Sequence, residues 1–132
     1  DQLFQLNVHS PIQIGIAIRE LFPKINFRLI VTASAMSFWT IPGYSQYAAS
    51  KSALLQWART VWSEKSGNWL TLVFPIATKT KFFETAGKDI PKAFPVQSAN
   101  WVATAILRGT SKGKKKIFPS PLFLSMLVQI DF

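Results

Sequence analysis

The sequence predicts an α/β domain, a parallel sheet with helices on its faces. Two short, mostly apolar runs, FRLIVTAS (27–34) and NWLTLVFP (68–75), read as strands buried on both sides. The segments around them carry apolar residues at helical intervals, so helix and strand alternate along the chain. Alternation of this kind goes with parallel strands joined by right-handed crossovers.

The opening stretch, 1–24, spaces Leu3, Leu6, Ile14, Ile18 and Leu21 as a helix does, and Pro11 predicts a kink within it. Pro23 helps end that helix, and the first strand (27–34) then runs into a loop, AMSFWTIPGY. From Ser45 to about Lys65, Tyr47, Lys51, Leu54, Leu55, Ala58 and Trp62 fall on one helical face, with Gly67 as the stop. Pro75 closes the second strand. Having no N–H for a central ladder, it predicts that a sheet edge is reached there. A stretch rich in Lys, Thr and Phe, 76–95, reads as a loop with a short helix near 82–86. Ser98 is the expected N-cap of the next helix; KKKIFPS predicts a last short strand and PLFLSMLVQIDF a terminal apolar helix. Ser34 and Pro75, at the two strand ends, are expected on one rim, the carboxyl side where chemistry gathers in such sheets.

Composition bounds the function. The 132 residues fit one folding unit, 1–132, and 48% hydrophobic against 16% charged residues excludes a disordered chain. The net charge of +9 attracts phosphates, nucleic acid or acidic lipid headgroups without choosing among them. There is no cysteine and one histidine, His9, which excludes disulfides, thiolate metal sites and histidine clusters; no metal is expected. No recognised nucleic-acid motif is present, so no nucleic-acid partner is expected. No apolar run approaches the roughly 20 residues of a membrane span, and no signal-peptide pattern opens the chain. A cytoplasmic location is the expectation. The first residue is Asp1 rather than Met, from which an upstream segment is expected.

Tyr47 and Lys51 lie four apart on the predicted helix, so the ammonium can reach the neighbourhood of the phenol. Together with Ser34 at a strand end, the Pro42 and Gly43 loop and YAASK within PGYSQYAASKSAL, this pair resembles the short-chain dehydrogenase/reductase family. The spacing from Ser34 to Tyr47 matches the family, and the NV of LNVHS puts Asn7 on the preceding helix, as in the family.

The resemblance implies a Rossmann-like fold and an NAD- or NADP-dependent oxidoreductase interconverting a carbonyl and a secondary alcohol. It implies a catalytic set of Asn7, Ser34, Tyr47 and Lys51: Tyr47 as acid/base, Ser34 on the substrate oxygen and Asn7 ordering a proton-relay water. Lys51, Pro75 and Thr80 would contact the nicotinamide end of the cofactor. The chemistry is consistent. Hydride transfer at a carbinol carbon needs a proton donor or acceptor at its oxygen. A free phenol titrates near 10, so phenolate must be favoured by roughly 4 kcal/mol for neutral operation. Two unit charges at about 4 Å interact by roughly 1 kcal/mol in water and roughly 4 kcal/mol at an effective dielectric of 20, so a lysine suffices only where water is kept out.

Two positions depart from the family. Ile76 stands where FPIATKT would carry a glycine, and Ser10 where a glycine usually follows the asparagine motif. No combination of Gly15, Gly43, Gly67, Gly87, Gly109 and Gly113 forms the strand–turn–helix that cradles a pyrophosphate. The resemblance therefore covers essentially the whole chain but only the catalytic half of a family domain, with the N-terminal nucleotide-binding half absent.

The competing expectation is a noncatalytic fragment acting as an interaction or membrane-surface module. SKGKKKIFPSPLFLSMLVQI joins a lysine cluster to an apolar segment, the composition of a peripheral membrane contact. His9 is expected on the surface or in packing. Trp39, in the loop after Ser34, is a candidate pocket residue, and the helix carrying Tyr47 implies by resemblance a homo-oligomer face. The substrate, a small carbonyl compound or alcohol, is selected in the family by the region 81–97 and the chain end.

Overall fold

Among the described residues three parallel strands form the sheet: β1 (Leu29–Thr32), β2 (Leu70–Val73) and β3 (Lys116–Ile117), in that order across it. The computed structural model describes residues 1–81 and 95–130, and side chains as far as residue 127. Leu29 pairs with Leu70 and Thr32 with Val73; on the other side Leu72 pairs with Lys116 and Val73 with Ile117. Strand β2 is thus central and wholly buried, which corrects the expectation of a sheet edge at Pro75. The proline lies beyond the last paired residue, where no ladder N–H is needed, and its carbonyl accepts from Ala35 N–H at 2.9 Å.

The opening helix is α1 (Gln2–Phe4), a π-helical turn (Gln5–His9) and α2 (Ser10–Leu21). The expected kink takes the form of that wide turn. Pro11 cannot donate to the carbonyl of Asn7 four residues back, and just ahead of it the Ser10 N–H and hydroxyl both reach the Gln5 carbonyl. Gly15 lets α2 approach the Trp69 indole, where a Cβ would stand 3.0 Å from the ring. Leu6, Ile14 and Leu21, which carry the helical period, are exposed.

Helix α3 (Ser45–Ser63) lays Leu54, Leu55, Ala58 and Val61 into the core with Leu70, Leu72 and Phe74. A 3-10 turn, Gly67–Trp69, carries the chain from α3 into β2 so tightly that a Cβ on Gly67 would overlap the Val61 carbonyl oxygen. Helix α4 (Ala99–Ser111) is capped as expected: Ser98 Oγ accepts from the Trp101 N–H at 3.1 Å. Helix α5 (Pro121–Ile130) buries Phe123 and Leu127. Phe74 stacks on Phe118 at 5.1 Å between centroids, and Phe38 meets Phe74 edge-on at the same distance. The short helix expected near 82–86 lies outside the described residues.

Candidate active site

Beyond the strands the backbone keeps pairing: Ala33 N–H donates to Val73 O at 2.8 Å and Ala35 N–H to Pro75 O. This holds Ser34 and Pro75 together on one rim. Ser34 is extended (φ −165°) and caps the 3-10 turn Ala35–Ser37, its Oγ accepting from Met36 N–H at 3.0 Å. With that acceptor direction fixed, the Ser34 hydroxyl bonds to the Tyr47 phenol in the sense that lowers the phenol's pKa.

The loop from Ser34 to Tyr47 folds back through a β-turn, Tyr44 N–H donating to Ile41 O at 3.2 Å, with Gly43 at φ +86°. That is a type II arrangement, in which the third position needs a left-handed residue and glycine supplies it at no steric cost. The turn seats the start of α3. Ser37 Oγ then donates to Lys51 O at 2.9 Å and Ser52 Oγ to Ser37 O at 3.2 Å, pinning α3 to the rim.

Tyr47 and Lys51 face the same cleft. The Lys51 Nζ donates to Thr32 O at 3.0 Å and stands 5.7 Å from the Tyr47 ring centroid. Burial pushes the Lys51 ammonium down to about 8. Burial also raises Tyr47 above the usual phenol value, against the opposing hydrogen bond from Ser34.

Ser34, Tyr47, Lys51, Pro75 and Thr80 all line this cleft of about 390 Å³. Asn7 does not. Its Nδ2 donates to Ser50 Oγ at 3.1 Å, and Ser50 Oγ donates to Tyr47 O at 2.7 Å, so Asn7 braces the helix behind the cleft. Trp39 lines the cleft as expected. Thr32, Ile41 and Tyr44 also line it and were not anticipated, although the Pro42 and Gly43 turn was the available signal that this loop doubles back. Ile76 keeps an ordinary backbone and is 8% exposed, packing into the core while forming part of the cleft wall. Among the described residues no group of three or more His, Cys, Asp or Glu could hold a metal ion.

One end of the cleft carries groups chemically suited to the nicotinamide end of a dinucleotide. Lys51 Nζ at the end of β1 is a donor suited to ribose hydroxyls, and Pro75 and Thr80 stand across the rim. The pyrophosphate end finds no cradle: among the described glycines none opens a helix directly after a strand.

Solved structures of short-chain dehydrogenases and of an alcohol dehydrogenase superpose on the chain. A short-chain dehydrogenase from Sphingobium yanoikuyae in complex with NADPH matches with a TM-score of 0.81 at 22% identity, over 96% of this chain and 50% of that one. One from Burkholderia cenocepacia J2315 in complex with NADP gives 0.79 at 15% identity, over 97% and 54%. The bulky-bulky ketone specific alcohol dehydrogenase from Comamonas testosteroni gives 0.70 at 20% identity, over 96% and 49%. The fold is therefore that of a partial, Rossmann-like short-chain dehydrogenase, and the chain spans about half the length of the structures it matches. No family model and no curated protein matches the sequence.

Proposed function

We propose that the chain is the catalytic half of an NAD- or NADP-dependent oxidoreductase that interconverts a carbonyl and a secondary alcohol. The observation that carries this reading is the convergence of Ser34, Tyr47 and Lys51 on one cleft, with a Ser34–Tyr47 hydrogen bond already formed. In the reducing direction the Tyr47 hydroxyl gives its proton to the carbonyl oxygen while the Ser34 hydroxyl donates to the same oxygen. When bound, the reduced nicotinamide supplies the hydride. Lys51 holds the ribose and, once water is excluded, stabilises the phenolate left on Tyr47. Asn7, through Ser50, fixes the α3 backbone at Tyr47 and so positions the phenol.

The test is ketone reduction followed by loss of NADPH absorbance, with nucleotide binding to the chain titrated separately by fluorescence. In a complete version of the protein that includes the nucleotide-binding half, Tyr47→Phe is expected to lower kcat by roughly 10²–10⁴-fold while leaving thermal unfolding unchanged. Undiminished turnover sinks the assignment.

A second reading rests on helix α5. Leu122, Leu124 and Met126 are 61%, 42% and 38% exposed, and the exposed lysines 112 and 114–116 precede them in sequence. Among the described residues no helix is long and apolar enough to cross a membrane, so this reading is a peripheral contact. Vesicles containing anionic lipid would retain the chain in a salt-dependent manner, with no nucleotide bound.

A further inference from the structure

The flank of the cleft is apolar and held from behind. Met36, Trp39 and Ile41 come from the loop that turns back between Ser34 and Tyr47, and Ile76 and Val102 from the elements beyond β2. The Trp39 indole meets the Phe123 ring edge-on at 4.6 Å between centroids, and Phe123 is 1% exposed, so the indole is braced against a fixed partner.

Charge is scarce in the same space. Among the described residues Lys51 is the one ammonium or guanidinium in the lining; one of its N–H donors goes to Thr32 O, and the ribose of a bound nucleotide would take the others. Lys79 and Lys81, on either side of Thr80, are exposed and form no part of the wall. Lysines 112, 114 and 115 precede β3 and Lys116 opens it, at the end of the sheet away from the rim. The depressed pKa of Lys51 reports how poorly this cleft solvates a charge. A carboxylate or phosphate carried against the apolar flank formed by Met36, Trp39, Ile41, Ile76 and Val102 would lose its water and meet no charged partner among those residues.

Resting on the oxidoreductase reading, we propose that the substrate is an uncharged carbonyl compound with a bulky apolar flank, an aromatic ring or branched chain, seated on Trp39 and Ile41. These two side chains select the flank, while Ser34 and Tyr47 hold the oxygen. The basic character of the chain as a whole plays no part in that selection.

The test reads binding without hydride transfer. The wild-type chain is titrated with acetophenone, 2-acetylnaphthalene and 4-acetylbenzoate while tryptophan emission is followed, and a parallel Trp39→Phe titration isolates the signal of residue 39. 2-Acetylnaphthalene is expected to bind roughly tenfold tighter than acetophenone, from the extra ring buried. 4-Acetylbenzoate is expected to bind at least about tenfold weaker than acetophenone. Ile41→Arg, at a partly exposed position, should narrow or reverse the penalty on the carboxylate. Equal or tighter binding of the carboxylate by the wild type overturns the proposal, as does the lack of saturable quenching by all three. Such a failure leaves the acid/base assignment standing or falling on Tyr47→Phe turnover, and a failure there leaves this binding order untouched.

Discussion

Lys51 and Tyr47, one helical turn apart on α3, stand as a cation over an aromatic ring: the ammonium is 5.7 Å from the ring centroid and anchored to Thr32 O at 3.0 Å. The pair shares one wall of the cleft, and burial acts on both members against their charged forms. The lysine's cation is therefore carried at a cost to the fold, which is the condition for it to act strongly on a neighbouring phenolate.

That cost has a pH signature. Lys51 is lowered from 10.5 to about 8 in the folded chain. Between those values the unfolded chain holds more protons, so stability rises with pH across that window, and below pH 8 the full cost, roughly 3 kcal/mol, is present. Urea unfolding of wild type and Lys51→Met at several pH values measures it. The advantage of the Met variant should be largest at pH 7 and shrink by up to about that amount near pH 10.5. A constant difference contradicts the burial of a charged Lys51.

Ser34 ties the rim to the phenol, and its removal separates two effects. Ser34→Ala leaves the buried Met36 N–H without its acceptor, which costs about 1–3 kcal/mol of stability. It also removes the hydrogen bond that opposes the burial shift on Tyr47, so the phenol should titrate higher than in the wild type. Ultraviolet titration of tyrosinate in Ser34→Ala, read against Tyr47→Phe to isolate the residue, checks the direction. A phenol titrating lower in the variant rules out Ser34 as its donor.

Part of this site was legible in sequence because its chemistry is local. A spacing of four positions from Tyr47 to Lys51, and a serine at the end of a β-branched run, are one-dimensional facts that backbone geometry turns into proximity. What escaped depends on long-range or backbone-borne contacts. The Asn7 to Ser50 hydrogen bond joins residues 43 apart, and the Lys51 anchor is a main-chain carbonyl that no side-chain pattern marks. The expectation of a sheet edge at Pro75 failed because proline excludes itself from a ladder, not from the position just past one. Leu6, Ile14 and Leu21 revealed a helix by their period, yet period alone does not say what covers a face.

Asn7 gives a prediction that distinguishes bracing from direct catalysis. Asn7→Ala removes the donor to Ser50 Oγ across the contact between the π-helical turn and α3, which should lower stability by about 1 kcal/mol. If Asn7 only positions α3, Ser50→Ala should reproduce the loss of turnover seen in Asn7→Ala, and the double variant should add little. Thermal unfolding and kcat of the two single variants and the double variant form the cycle. Strictly additive effects on kcat would show that Asn7 acts by a route independent of Ser50.

Gly67 carries the sharpest structural prediction, because the turn from α3 into β2 leaves no room for a side chain. A Cβ there would overlap the Val61 carbonyl oxygen, a backbone atom that cannot swing aside as a side chain does. Gly67→Ala must therefore push the C-terminal end of α3 away from Trp69 and Leu70, both in the core beneath it. The cost belongs with overpacked or strained sites, about 2–4 kcal/mol and enough to lower Tm by several degrees. Gly109 gives the internal contrast. A Cβ there would meet the flexible Ile117 side chain at 2.6 Å, a contact that rotation of the isoleucine can partly relieve. Thermal melts of the two alanine variants should rank Gly67→Ala well below Gly109→Ala. The reverse order would mean that the entry to β2 is looser than the Val61 carbonyl implies.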